Sequence, residues 1–321
     1  MRRHIQYLFL AFNVYIGVRL YLFYSYFLGR GSAYVSRPPS TEAYLPIAAL
    51  MSLKYWLVTG VFDQVHPAGL TILVAAFLTA LLWRRGFCSW ICPIGTISEI
   101  AHRAGQRLGV TVRPPRFVDI PLRSLKYVLM AVFLLAVIGM DAPSIRAFVN
   151  SPFNKLADIK MLLFFLHLST FSMLVLANLI IWSFFIKNFW CRYLCPYGAA
   201  LGILSKVGMV KIARDENNCI DCKKCEKICP AYIDITKVKT VTSLECIDCL
   251  DCIRVCPVEN TLEVKTARLN KVVGPRAYGL ILVGGFMFLI LLAQITGHWN
   301  TNISLAEYRQ MVPNAARYGH P

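Results

Sequence analysis

The fold depends above all on one stretch, Cys219-Ile-Asp-Cys222-Lys-Lys-Cys225-Glu-Lys-Ile-Cys229-Pro230. The same spacing is repeated from Cys246 to Cys256-Pro257. Two shorter motifs of the form Cys-x3-Cys-Pro-x-Gly begin at Cys88 and Cys191. These four clusters contain all twelve cysteines of the chain, and every cluster ends in Cys-Pro. Because no cysteine is left over, a shared chemistry is the simplest interpretation.

The two long runs have the spacing of iron–sulfur ligands. Thiolates are soft anionic donors, and three evenly spaced cysteines can wrap three corners of a cubane while the fourth ligates the cluster of the other run. A pair of zinc sites is the alternative, but zinc normally uses two Cys-x2-Cys hooks for each metal. The sequence therefore predicts two [4Fe–4S] clusters and electron transfer, with ligands Cys219, Cys222, Cys225 and Cys256 for the first cluster and Cys246, Cys249, Cys252 and Cys229 for the second.

The two short motifs belong to an internal repeat. Residues 87–95 match residues 190–198 in residue class, 103 positions apart, and each copy follows an apolar segment. This pattern predicts two parallel two-helix repeats in the membrane. Three interpretations stay open for their cysteines, namely a third iron–sulfur centre, two dithiol/disulfide pairs, or buried structural thiols. The four residues concerned are Cys88, Cys92, Cys191 and Cys195.

The composition is that of an integral membrane protein, with 57% hydrophobic and 16% charged residues. We expect a mainly α fold, a polytopic membrane helical bundle of about five spans, with a small α+β two-cluster ferredoxin domain attached. The predicted spans are 5–28, 68–83, 125–140, 161–186 and 278–296.

Three domains follow from this map in chain order. Residues 1–208 form the membrane domain with both short cysteine motifs, and they include a re-entrant or interfacial segment, 30–66, at the outer face. Residues 209–270 form the ferredoxin domain, in which the clusters must supply part of the stability because so short a piece buries little core. Residues 271–321 form the last span and a short outer tail.

The charge distribution indicates the orientation. With the N-terminus in the cytoplasm, the inner segments hold 24 Lys and Arg residues and the outer segments hold 8. This excess is the positive-inside bias, so the net charge of +17 reports topology and a lipid partner, not nucleic acid. The N-terminus, the ferredoxin domain and all four cysteine clusters are thus predicted on the cytoplasmic side of the cell inner membrane, where thiols stay reduced.

Several polar residues near the outer ends of the spans are candidates for contact with a quinone. Arg19 lies inside the first predicted span, and an intramembrane charge is a candidate functional group. His66 and His167 occupy equivalent places in the two repeats, and His298 lies at a similar depth. With Asp63, these histidines could accept protons from a quinol. Haem ligation by the histidines and a purely structural role are the alternatives.

The spans, the paired Cys-x3-Cys-Pro-x-Gly motifs and the downstream eight-cysteine segment together resemble the NapH/MauN-type membrane polyferredoxin family, whose core NosR-type proteins share. The resemblance covers roughly residues 70–265. It implies an electron-transfer subunit more than a stand-alone enzyme. Such a subunit connects the quinone pool with a redox partner such as an extracytoplasmic oxidoreductase or a multihaem cytochrome. Electron supply for the maturation or regulation of another metalloenzyme, and thiol–disulfide conduction, are alternative functions.

Overall fold

The computed structural model describes residues 1–31, 33–267 and 269–320, and most of them are helical. The helices of the N-terminal half are α1 (Arg2–Phe27), α2 (Pro46–Thr59), α3 (Pro67–Trp83), α4 (Gly86–Trp90), α5 (Pro93–Arg107), α6 (Arg116–Gly139), α7 (Ala142–Val149) and α8 (Pro152–Lys155). The helices that follow are α9 (Ala157–Leu166), α10 (Thr170–Phe185), α11 (Phe189–Tyr193), α12 (Pro196–Leu204), α13 (Lys224–Ile228), α14 (Asp251–Val255), α15 (Pro275–Ile295) and α16 (Leu305–Met311).

The chain forms two compact units, each assembled from three separate stretches. The first unit consists of Met1–Leu10, Ala76–Met130 and Leu176–Met287. The second consists of Ala11–Ala75, Ala131–Val175 and Phe288–Pro321. All four cysteine clusters lie in the first unit. The chain-order domains 1–208, 209–270 and 271–321 remain a prediction.

The ferredoxin segment of the first unit is α+β, as predicted. Four antiparallel strands pair in the order β2-β1-β3-β4. In the central pair, Ile212 lies opposite Val264, and both side chains are buried. Alternate residues of a strand point to opposite faces, so one face of this small sheet is apolar. The strands are β1 (Val210–Arg214), β2 (Thr240–Val241), β3 (Leu262–Thr266) and β4 (Val272–Val273).

The two short cysteine motifs form the same local structure. A one-turn helix carries the first cysteine, and a second helix starts at the proline after the last cysteine, giving α4–α5 in one copy and α11–α12 in the other. Proline suits the first turn of a helix because its missing N–H would have no partner there. A Cβ added at Gly95 would lie 2.4 Å from the carbonyl oxygen of Cys88, so the glycine of the motif allows the two helices to meet.

The second unit has a core of its own. Leu20 and Phe23 pack with Leu156 and Ile159 and with the C-terminal residues Tyr308, Met311, Val312 and Ala315. The predicted outer tail is therefore folded: helix α16 begins with a capping box between Ser304 and Glu307. Helix α2 lies within the predicted re-entrant segment 30–66, and its 14 residues are too few to cross a bilayer.

The structure revises the number of predicted spans. Among the described residues, α1, α6 and α15 are long and apolar enough to cross a membrane. The predicted span 161–186 is instead divided into α9 and α10, which meet at 87° and would add a fourth span only as a pair. The break follows from the polar residues between them, because the Ser169 hydroxyl accepts from the Ser172 N–H and starts a new helix. The predicted span 68–83 is a shorter apolar helix of 17 residues.

Candidate functional site

One cavity in the ferredoxin segment is lined by the four cysteines predicted for the second cluster. It measures about 350 Å³, and its lining includes Cys229 from one long run and Cys246, Cys249 and Cys252 from the other. The contact between α13 and α14 brings the two runs together. The arrangement has the crossed connectivity expected of a two-cluster ferredoxin.

A second cavity holds the remaining cysteines of the two long runs. It measures about 340 Å³, and Cys219, Cys222, Cys225 and Cys256 all line it. Cys222 is exposed, whereas Cys225 is buried. Ile220 and Val258 also line this cavity, although Ile220 is 65% exposed.

The backbone is shaped in the same way in both long runs. Asp221 and Asp248 have φ values of 50° and 47°, and the residues two places later, Lys223 and Leu250, have φ values of 57° and 60°. Non-glycine residues adopt this left-handed conformation at a cost and mainly where the surroundings require it. In both runs, these left-handed residues turn the Cys-x2-Cys-x2-Cys loop around its cavity.

The short motifs converge on a third cavity, which the sequence left open. Cys88 and Cys191 line a space of about 400 Å³, together with Arg85, Arg192 and Glu245. Cys92 and Cys195 lie close to this cavity: burial, together with the neighbouring thiols of Cys88 and Cys195, raises the pKa of Cys92 to about 12. The Gly198 N–H donates to the Cys195 Sγ at 3.3 Å.

Buried cations accompany the cysteine sites. Arg84 lies 3.3 Å from Asp248 and donates to the carbonyl oxygen of Val241 at 2.7 Å. Arg85 is 2% exposed, and its Nη1 donates to the carbonyl oxygen of Leu244 at 2.8 Å. Burial lowers the pKa of Arg85, but the charges of Cys88 and Glu245 outweigh it and raise that pKa overall.

This donor set fits iron–sulfur clusters. Among the described residues, no three His, Cys, Asp or Glu side chains converge on one ion position, and a cubane with iron at separate corners does not require such convergence. Burial raises the pKa of Cys249 to about 12, so a thiolate there needs a compensating positive charge, which ligated iron supplies. The eight cysteines of the long runs would hold two such clusters.

The residues predicted to contact a quinone all lie in the second unit, and they differ in accessibility. Arg19 is half-buried and donates to the carbonyl and hydroxyl oxygens of Ser36 at 3.1 and 2.5 Å. His167 is exposed at the break between α9 and α10. Asp63 is buried and accepts from the Ser52 hydroxyl at 2.5 Å and from the Val65 N–H at 2.7 Å. His298 is exposed and lies edge-on to Phe62.

His66 belongs to a buried ionic network that sequence reasoning missed. Arg37 donates through Nε to Asp158 at 2.6 Å and through Nη1 to Glu42 at 2.8 Å. His66 Nδ1 lies 3.2 Å from Glu42, and its Nε2 lies 2.6 Å from the carbonyl oxygen of Asn154. Burial lowers the pKa of His66, but the Glu42 charge and hydrogen bond outweigh it, so that the pKa is raised. The signal available in the sequence was charge close to the apolar segments, as at Asp158, three residues before the predicted span 161–186.

Comparison with known families gives two matches. A family described as "4Fe-4S binding domain" matches residues 65–111 and again residues 167–214. A family described as "4Fe-4S dicluster domain" matches residues 211–261. The double match includes both short cysteine motifs and confirms the internal repeat, and the second match covers both long runs. No solved structure matches the chain.

Similar proteins include several bacterial proteins. YccM of Escherichia coli (strain K12), a protein named for electron transport, is 40% identical over an alignment of 329 residues. The alignment covers 99% of this chain and 91% of YccM. Protein NirI of Paracoccus denitrificans is 36% identical over 51% of this chain and 24% of NirI. The ferredoxin-type protein NapH of Escherichia coli (strain K12) is 28% identical over 51% of this chain and 55% of NapH.

Proposed function

The chain belongs to the NapH/MauN-type family of ferredoxin-type membrane proteins and is an iron–sulfur electron-transport protein, and from this premise we propose that it relays electrons between the membrane quinone pool and a redox partner. The partner would be an extracytoplasmic oxidoreductase or a cytochrome in the same inner membrane. The observation that carries the proposal is the pair of cavities, each lined by four cysteines of the long runs.

In this proposal the long runs hold two [4Fe–4S] clusters. Cys219, Cys222, Cys225 and Cys256 hold the first, and Cys229, Cys246, Cys249 and Cys252 hold the second. Each cluster supplies reversible one-electron exchange. The chain contributes the soft thiolate ligands, the left-handed turns that wrap them and the buried cations beside them.

The proposed quinone site involves residues of the second unit. Asp63 and His66 are buried, and both ring nitrogens of His66 lie close to protein partners, so we assign these two residues to holding the segment that precedes α3. Arg19 and His167 are accessible enough to meet a quinone in the bilayer. Arg19 could donate a hydrogen bond to a quinone carbonyl oxygen, because a guanidinium carries several N–H donors and Ser36 accepts from Nη2 of Arg19.

Electron exchange with quinone tests the proposal. The full chain is placed in lipid nanodiscs, reduced, mixed with a quinone and followed through the visible absorbance of the clusters. We expect the clusters to be reoxidised in the wild type and in Arg30→Leu, a control that removes an exposed charge just beyond α1. Arg19→Leu should react at least about tenfold more slowly, the loss that about 1.4 kcal/mol of binding energy gives, with unchanged iron content. Equal rates in both variants would remove Arg19 from the quinone site.

A further inference from the structure

The four cysteines of the short motifs come from segments about one hundred residues apart, yet they share one location. Cys88 of the first copy and Cys191 of the second line the same cavity. Helix α11, which carries Cys191, contacts helix α5, which begins directly after Cys92. An added Cβ at Gly198 of the second copy would lie 3.0 Å from Nη2 of Arg85, which lies three residues before Cys88 of the first copy. Two separate dithiols would not need the copies to meet.

The third cavity has the size and the charge of a cluster site. Its volume of about 400 Å³ is close to the 350 and 340 Å³ of the two ferredoxin cavities. Arg85 lines it, is 2% exposed, and among the described residues its Nε has no hydrogen-bond partner. Glu245 lies 4.0 Å from Arg85 Nη1, but the same carboxylate oxygen is held by Lys126 at 2.5 Å, so the unused Nε donor calls for a further negative group. Four thiolates around iron and sulfide carry such a charge.

The three cavities lie in a row. The third cavity and the cavity of Cys246 share Pro230, Ala231 and Ile247 in their linings, so a single layer of residues separates them. On its other side, the Cys246 cavity adjoins that of Cys219 across the contact between α13 and α14, the helices that carry Cys225 and Cys252. The Cys219 cavity contains the exposed Cys222 and forms the solvent end of the row.

From this geometry we propose that Cys88, Cys92, Cys191 and Cys195 together hold one third iron–sulfur centre, and that this centre is the inner end of a row of three, with the Cys246 site in the middle and the Cys219 site outermost. The proposal rests on the proposed function, because it takes the two ferredoxin sites as cluster sites. Each transfer moves one electron, so that one centre is oxidised as its neighbour is reduced, and Arg85 balances the negative charge of the inner centre.

Iron counting tests the third centre. In the anaerobically purified full chain we expect about twelve iron atoms and about as many sulfides, four for each cubane. Cys92→Ala and Cys195→Ala, one from each repeat, should each lower the count to about eight, because either change opens the same site. About eight iron atoms in the wild type, or trapping of Cys88–Cys92 and Cys191–Cys195 as redox-dependent disulfides, would overturn the proposal. Neither result would contradict the proposed function if quinone still reoxidises the chain.

Electron paramagnetic resonance of the reduced chain tests the order of the row. Magnetic coupling falls steeply with distance, so the inner centre should couple to the Cys246 cluster and much less to the Cys219 cluster. Cys222→Ala should remove the outer signal and leave the coupling of the other two centres. Cys249→Ala should remove the middle signal and leave the inner centre uncoupled. Coupling of the inner centre that is lost in Cys222→Ala and kept in Cys249→Ala would contradict the order.

Discussion

Two adjacent buried arginines, Arg84 and Arg85, should each set the midpoint potential of a different iron–sulfur site. Arg84 lies beside Asp248 in the Cys246 loop, whereas Arg85, the next residue, lines the cavity of the short motifs. A positive charge favours the reduced, more negative cluster. Arg85→Gln should therefore lower the midpoint potential of the inner centre by on the order of 60 mV, which corresponds to about 1.4 kcal/mol for one electron.

Arg84→Gln is the matched control for that prediction, since it should lower the potential of the Cys246 cluster instead. A redox titration followed by paramagnetic resonance separates the two effects. If both variants shift the same centre, or if neither shifts any, Arg84 and Arg85 do not serve different sites.

His66 should make stability depend on pH. Arg37, Glu42 and Asp158 face it in the buried network. Because the folded pKa of His66 is raised above its unfolded value of about 6.5, its stabilisation is complete below pH 6.5 and is lost as the pH rises through the folded pKa. The difference in the free energy of unfolding between the wild type and His66→Asn should therefore be larger at pH 6 than at pH 9, by about 1.4 kcal/mol for each unit of the shift. Denaturant unfolding at the two pH values measures it. A stability difference between the two proteins that grows with pH would contradict a raised pKa of His66.

At the scale of helices, the glycine of each short motif is a spacer between two helices. An added Cβ at Gly95 would lie 2.4 Å from the backbone oxygen of Cys88, which cannot move without displacing a cysteine. At Gly198 the nearest atom, 3.0 Å away, is the end of the Arg85 side chain. Gly95→Ala should lower the iron content by about a third, the loss of one of three cubanes, whereas Gly198→Ala should lose much less. Metal analysis of the two purified variants compares them directly, and equal losses would contradict the spacer role.

Sequence patterns predict some of the helices and strands but not how distant helices pack together. The cysteine spacing was enough to predict the α+β ferredoxin segment, and the paired motifs were enough to predict the repeated helix pairs. The span 161–186 was predicted as continuous because its apolar composition hides the effect of Ser169, a capping interaction between neighbouring residues. The convergence of the two short motifs depends on tertiary packing between helices, which no local pattern specifies.

Lys54 illustrates a similar limit. It lies in helix α2, within the segment 30–66 that the sequence predicts at the outer face. In the structure its ammonium group donates to the carbonyl oxygens of Val137 and Ile138 at 3.1 and 2.8 Å, at the C-terminal end of α6. Cations there satisfy the last carbonyl groups of a helix. Only the fold shows which helix end receives the charge.

At the scale of the whole molecule, the charge bias predicts that the ferredoxin segment faces the cytoplasm. Lys239 has a side chain that is 78% exposed and lies outside the cysteine runs. Lys239→Cys should react with a membrane-impermeant maleimide in inverted vesicles and stay unlabelled in intact spheroplasts. The unmodified chain gives the background from its own twelve cysteines. Labelling above that background in intact spheroplasts would place the ferredoxin segment on the outer side.

Electron exchange with the quinone pool is tested most directly by a reductive titration of the full chain in lipid nanodiscs, followed by addition of quinone. Three one-electron centres should accept about three electrons per chain, and the quinone should recover them in full. A chain that accepts no electrons, or that accepts them and returns none to the quinone, would contradict a role as an iron–sulfur relay to the quinone pool.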